Sequence, residues 1–382
     1  MENPIEQIVS EIIPVRRQLH EIPELGYQEF QTTARIAEYL KENGLVFHRF
    51  NNIKTGGYCD VGKGDIIAFR SDIDALPIDE DKNHSVRSQR AGVMHACGHD
   101  YHIVFGLALL KYFANHEERL KYRLRVIFQP AEESVPGGAV DVLKEDIWED
   151  VKVILTAHVN GDLAPGKIAL CENTASASSA TIELSFVGPG GHTSRPHETV
   201  DLISVTAMFI TQINNYLHEH VDPRNPFVLV FGEIKGGSAH NIIPQDVKLR
   251  GTLRTFDNSV NLLIISLLQR YCNAFAELYG FKVNLNIPSI CPVVRNDRAL
   301  FNHFREFVNK NSTIDALIEN EKPSMGADDF AYFLEKAPGL YFRIGAGSKG
   351  SAHSSSFLAD EDLLLPGCKY LIDFIRYLNL IL

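Results

Sequence analysis

The sequence predicts an α/β protein, a central mixed sheet covered by helices, with a smaller α+β domain inserted into it. Two patterns and the length lead there. Strand-length apolar runs alternate with helix-like stretches at both ends of the chain, as in a sheet covered on both faces. Between them, residues 179–288 run strand, helix, strand, strand, helix, strand, the order of a ferredoxin-like unit. At 382 residues the chain exceeds one ordinary domain.

Residues 5–20 and 29–40 carry apolar side chains at helical spacing, with Pro23 between them. Strands are expected at 57–61, 65–69, 123–128 and 151–156. Residues 101–116 read as a helix with Asp100 as its N-cap. The small, polar stretch CENTASASS at 171–179 looks like a linker. The insert then predicts a strand at 181–187, a helix at 200–220, strands at 227–234 and 246–255, a helix at 260–279 and a strand at 282–287. After Pro288 a helix is expected near 299–309, a strand at 339–345 and a last helix at 361–380. The division is thus one larger domain from 1–178 and 289–382, interrupted by 179–288. Such an insert has its helices on one face and two open sheet edges, which makes it the expected homodimer contact.

Composition narrows the functional classes. The net charge of −11, from 48 acidic and 37 basic residues, excludes a broad nucleic-acid or anionic-membrane surface. No apolar run is long enough to span a bilayer, and the polar, acidic start MENPIEQIVSEII is not expected to be a signal peptide. Six cysteines without a CxxC pair fit a reducing cytoplasm better than a disulfide framework.

The fifteen histidines are more informative. Cys97 and His99 flank Gly98, whose freedom permits a tight loop that brings a thiolate and an imidazole together. Taken alone, the trio reads more readily as a buried cysteine beside a helix-capping pair of His99 and Asp100. Glu132 and Glu133 follow the strand ending in Gln129-Pro130, so one carboxylate can bind a metal while the other moves protons. His158 ends an expected strand, Asp72 and Asp74 follow another, and His353 lies after a third. Together, acidic and imidazole groups at so many strand ends of one sheet support hydrolysis by metal-activated water.

The ordered motifs SDIDALPI (71–78), HACGHDYH (95–102), QPAEE (129–133), GPGGHTSRPH (188–197), NIIP (241–244), GTLRTF (251–256) and MGADDF (325–330), with His353, carry a family likeness. The chain resembles the amidohydrolase/aminoacylase/carboxypeptidase family of metallopeptidases. The resemblance implies a larger catalytic domain, a lid or dimerisation insert and two divalent ions (Mn²⁺, Zn²⁺, Ni²⁺ or Co²⁺). It implies Cys97, His99, Glu133, His158 and His353 as ligands, with Cys97 bridging. It implies Glu132 as general acid/base and Asp74 as the carboxylate that orients a metal-bound histidine. It implies His192 as a polariser of the substrate carbonyl across a dimer interface, and Asn241 and Arg254 as holders of the substrate carboxylate. Asp328 stands where the family motif usually has Glu. The implied reaction is hydrolysis of the amide of a small N-acyl amino acid. Dipeptidase or carboxypeptidase activity and a non-catalytic binder are the alternatives. A further rival is thiol catalysis, with Cys97 as nucleophile and His99 or His102 as base.

Overall fold

The computed structural model describes residues 4–116, 120–311, 316–317 and 322–382. The chain divides into two compact units: Met1–Ala175 with Arg295–Lys322 and Asp328–Leu382, and Ser176–Val294 with Pro323–Ala327.

The first unit is built on a mixed sheet, eight-stranded among the described residues. Its order is Phe47–His48, Gly57–Val61, Arg123–Gln129, Ile66–Asp72, Val151–Asn160, Gly339–Gly345, Ile168–Ala169 and Ala316–Leu317. The four strands from Arg123–Gln129 to Gly339–Gly345 are parallel, with antiparallel neighbours outside them. Every residue of Ile66–Asp72 and of Gly339–Gly345 is buried, as a parallel sheet covered on both faces requires. Helices Pro4–Glu21, His99–Ala114 and Leu364–Ile381 pack together, with Phe69, Phe105, Phe342 and Phe374 in the core beneath them.

Three local expectations need correction. The central helix starts at His99 with Gly98 as its N-cap, so Asp100 does not cap it. Asp100 is instead buried in the first turn, 2.9 Å from His20 Nδ1 and 3.3 Å from Arg16 Nη1. A carboxylate buried there must be met by charge-bearing partners, because an uncompensated buried charge is strongly destabilising. The strand expected to end at Thr156 continues to Asn160, which puts His158 within it. Its extension pairs with Gly339–Gly345 up to Gly345↔Asn160, a non-local contact that the apolar run alone does not announce. The linker-like stretch does hold the boundary between the units, at Ala175/Ser176, and Glu172 and Asn173 are exposed, but most of it is packed: Cys171, Ala175, Ser176, Ala177 and Ser178 are buried, and Thr174–Ser176 is a strand. Small side chains there serve close packing rather than flexibility.

The second unit pairs four main strands in the order Phe227–Gly236, Asp246–Thr255, Ser178–Val187, Lys282–Asn286, all antiparallel. Alternate residues of Ser178–Val187 point inward, Ala180, Ile182, Leu184 and Phe186 among them, onto helices Leu202–His220 and Asn258–Tyr279. Asp201 and Asp257 cap those helices through Ser204 and Ser259 amides, and Gly280 closes the second in the left-handed region. Phe227–Gly236 is an edge strand with Val228, Val230 and Ile234 exposed.

Candidate metal centre

In the first unit the chemically able side chains collect at the carboxyl ends of the parallel strands, where an α/β sheet opens a crevice. Asp72 ends its strand, Asp74 follows it, and both are fully buried. Beyond Gln129 the chain turns through Ala131, at a φ of 57°, and presents Glu132 and Glu133. Buried Glu29 fixes that turn by accepting the Ala131 amide N–H at 2.8 Å. Gly98, at φ 78°, lets Cys97 and His99 converge, and a Cβ there would stand 2.3 Å from Val159 Cγ2. Only glycine satisfies both demands. His353 arrives on a loop, also at positive φ, with its amide N–H donated to the Ala96 carbonyl at 2.9 Å.

Of the five donor sets among the described residues whose ligand atoms lie within 4.8 Å of one another, three hold the expected ligands: Cys97, His99 and His158; Cys97, Glu133 and His353; and His99, Glu132 and Glu133. The first two share Cys97. Cys97 Sγ lies 3.4 Å from His158 Nε2, and His353 Nε2 lies 3.1 Å from Glu133 Oε1. His99 Nε2 is 3.9 Å from Glu133 and 4.0 Å from Glu132, while its Nδ1 approaches Asp74 Oδ1 at 3.3 Å. Asp74 also accepts the Glu133 amide N–H at 2.9 Å, so it braces two members of the cluster. His158 Nδ1 donates to the Val159 carbonyl at 2.7 Å, which leaves its Nε2 lone pair facing Cys97.

The electrostatics suit a site that binds positive charge. Burial, then Asp328, Glu133 and Asp329, holds the Glu132 carboxyl well above the usual range. Burial raises the Cys97 thiol, and burial with His102 beside it pushes His158 down to about 3. Contacts with Cys97 and Glu133 lift His353 to about 10. His99 Nε2 is buried without a hydrogen-bond partner, and the charge contacts of Asp74 Oδ1 with His99 Nδ1 and of Glu133 Oε1 with His353 Nε2 fall short of hydrogen-bond geometry. Orphaned lone pairs and crowded acids are costly unless a cation meets them. Sulfur, imidazole and carboxylate donors together suit a borderline-soft divalent ion, so the residues fit a metal.

Residues 68–377 match the peptidase family M20/M25/M40. The chain belongs to that family. It is a metallo-hydrolase acting on amide bonds. This M20 member is 32% identical over 380 residues to thermostable carboxypeptidase 2 of Saccharolobus solfataricus, covering 96% of this chain and 95% of that one. It is 32% identical over 357 residues to an N-acetyldiaminopimelate deacetylase of Priestia megaterium, covering 92% and 94%. A solved Bacillus subtilis structure, described as a dinuclear metal-binding peptidase of the M20 family, superposes with a TM-score of 0.86 at 28% identity, over 99% of this chain and all of that one.

The remaining candidates of this M20 chain lie in the second unit. His192 is exposed, and its Nδ1 accepts from the Ser194 amide at 3.1 Å, which leaves the proton on Nε2. Asn241 is exposed beside Ile242, which pairs with His192. Arg254 is half-buried and donates to the Met325 carbonyl at 2.8 Å, so it already has a structural partner. Sequence reasoning assigned no role to Arg70 or Asp329, and named His102 only as a possible base in the thiol rival. Arg70 is fully buried and bonds to Asp72 at 2.6 Å, Asp329 at 2.8 Å and Gln129 at 2.7 Å. The signal was available: an arginine inside an apolar strand run demands buried acids near it.

Proposed function

We propose that the protein hydrolyses the amide bond of small N-acyl amino acids, using two divalent ions held by Cys97, His99, Glu133, His158 and His353. One observation carries the reading: two donor triads share Cys97, with the carboxyl of Glu132, about 10% exposed, beside them. In bound form the ions would supply a more acidic water and an electrophilic partner for the carbonyl oxygen. Glu132 takes the proton of the attacking water on a carboxylate oxygen and returns it to the leaving nitrogen. Asp74 holds His99 in place through Nδ1. His192 donates its Nε2–H to the carbonyl oxygen as negative charge develops there. Asn241 and Arg254 receive the substrate carboxylate, Arg254 through a bidentate pair.

The ferredoxin-like second unit, in this reading, joins two copies through Phe227–Gly236, whose exposed Val228, Val230 and Ile234 suit pairing with a second copy. His192 of one copy would then serve the metal centre of the other. Six cysteines, five of them buried, suit action in the cytoplasm. Among the described residues no helix is long and apolar enough to cross a membrane.

The test strips the protein with a chelator, reloads it with Mn²⁺ or Zn²⁺, and assays N-acetyl and N-benzoyl amino acids beside dipeptides and longer peptides. Hydrolysis of the N-acyl amino acids should vanish on chelation and return on reloading. Preference for peptides would favour the carboxypeptidase reading, which the Saccharolobus relative supports. Activity that survives chelation would overturn the metal reading in favour of thiol chemistry. In that event His102 is excluded as the base, because both its nitrogens are engaged, and His158, whose Nε2 lies 3.4 Å from Cys97 Sγ, stands beside His99 as a candidate.

A further inference from the structure

Two histidine rings of the first unit meet edge-on, 4.6 Å between centroids, yet only one of them joins the Cys97 donor sets. The other is His102, 1% exposed. The Val159 amide N–H donates to His102 Nε2 at 2.9 Å, which requires a lone pair there. Nδ1 lies 2.5 Å from Asp72 Oδ1, so that nitrogen carries the proton. Asp72 is fixed in turn by Arg70 Nη1 at 2.6 Å. His102 therefore has no lone pair left for an ion and no vacancy for a substrate proton. Asp72, His99 and His102 gather within ligand distance of one another, but these bonds remove that triad from the metal-binding sets.

The topology explains why a side chain is needed at this point. Strand Ile66–Asp72 pairs with Val151–Asn160 only as far as Arg70↔Thr156, while the other edge of Val151–Asn160 stays paired to Gly345↔Asn160. Past Thr156 the strand has lost its backbone partner on one side, and the buried Val159 N–H must find another acceptor. His102 Nε2 is that acceptor. Val159 is also the residue whose carbonyl takes the His158 Nδ1–H, at 2.7 Å. That bond keeps the proton on Nδ1 and aims the Nε2 lone pair at Cys97.

We propose that His102 is a positioning residue: locked by Asp72 in its Nδ1-protonated form, it anchors Val159 and thereby sets the tautomer and aim of His158. The inference rests on the proposed role of His158 as a ligand. It adds a chain of control running Arg70, Asp72, His102, Val159, His158, in which only the last member would touch an ion.

Three variants separate the parts. His102→Gln keeps an acceptor near the Nε2 position, His102→Asn keeps only a donor near Nδ1, and His102→Leu keeps neither. Zn²⁺ affinity is measured by calorimetry on chelator-stripped full-length protein. The His158 tautomer is read from long-range ¹H–¹⁵N NMR of the metal-free protein. His102→Asn and His102→Leu should weaken Zn²⁺ binding by roughly 10–100-fold, the usual worth of a residue that orients a ligand, and should cost His158 its single tautomer. His102→Gln should preserve most of both. If His102→Leu fails to fold, the Asn and Gln pair carries the comparison. Wild-type affinity in His102→Asn, with His158 still protonated on Nδ1, would overturn the proposal. Should the wild-type protein bind no ion at all, the functional reading falls, and the metal-free tautomer comparison still decides for or against His102.

Discussion

The two units hold their chemistry in opposite surroundings. In the first, Arg70, Asp72, Asp74, His99 and His102 are buried, and each is held by another of the group or lies against it. In the second, His192 and Asn241 stand exposed above a core of Ile182, Leu184, Phe186, Phe209 and Leu268 that contains no charge. Burying polar groups obliges the protein to specify a partner for every one, so chemistry and stability become entangled. An exposed residue on an apolar scaffold escapes that bind. Substitutions in the first unit should therefore move stability and activity together, sometimes in opposite directions, while those in the second should move activity alone.

Glu132→Gln tests the entanglement at its strongest point. The amide cannot take a proton from water at neutral pH, so turnover should fall roughly 10²–10⁴-fold with metal content retained. The same change removes a carboxyl that burial and Asp328, Glu133 and Asp329 make costly to ionise. A carboxyl raised in the folded state lowers stability above its ordinary range, so metal-free Glu132→Gln should melt higher than metal-free wild type at pH 7. Lost metal binding in this variant would instead make Glu132 a ligand and Glu133 the base.

His192→Ala probes the other side. Removing a donor to a developing oxyanion costs about 10²–10³-fold in turnover, whereas an exposed substitution changes stability by no more than about 0.5 kcal/mol. Mixing it with Glu132→Gln protein under subunit exchange should restore activity, up to about half that of wild-type sites, if His192 acts in the other copy of a dimer. No recovery in proven heterodimers would confine His192 to its own chain or remove it from catalysis.

The contrast also governs what could be read from sequence. Alternation in 181–187 and 246–255 exposed the second unit's strands, because one sheet face is apolar and the other polar. The donors of the first unit were legible as residue types at strand ends, and Cys97, His99, Glu132, Glu133, His158 and His353 do fall into shared donor sets. The bracing was not legible. Arg70 meets Asp329 across 259 positions, and His102 meets Val159 across 57. No local periodicity encodes such pairs, and a buried arginine announces only that some acid must come to it. Asp100 misled for a related reason: its place beside a helix start looked like capping, while its partners His20 and Arg16 lie 80 and 84 residues away.

The smallest expected effect concerns that same buried network of Asp100, His20 and Arg16. Burial alone would lower the pKa of His20, but Asp100, 2.9 Å from Nδ1, and Glu80, 2.9 Å from Nε2, raise it to about 9. The second unit has nothing comparable, since His192, His197, His218, His220 and His240 are all exposed. A histidine raised above its unfolded value of 6.5 contributes stability that is complete below about pH 6.5 and is lost as pH rises through about 9. The loss is at most about 1.4 kcal/mol per pH unit across that window. Urea unfolding of metal-free protein should therefore show wild type losing stability between pH 6.5 and 9. His20→Gln should start less stable and change less over the same range. Hydrogen exchange, corrected for its intrinsic pH dependence, should place the loss in the helix Pro4–Glu21 and the start of His99–Ala114, with the strands of the second unit unaffected. Equal slopes for the two proteins would mean that His20 is neutral in the folded state and that Asp100 is balanced by Arg16 alone.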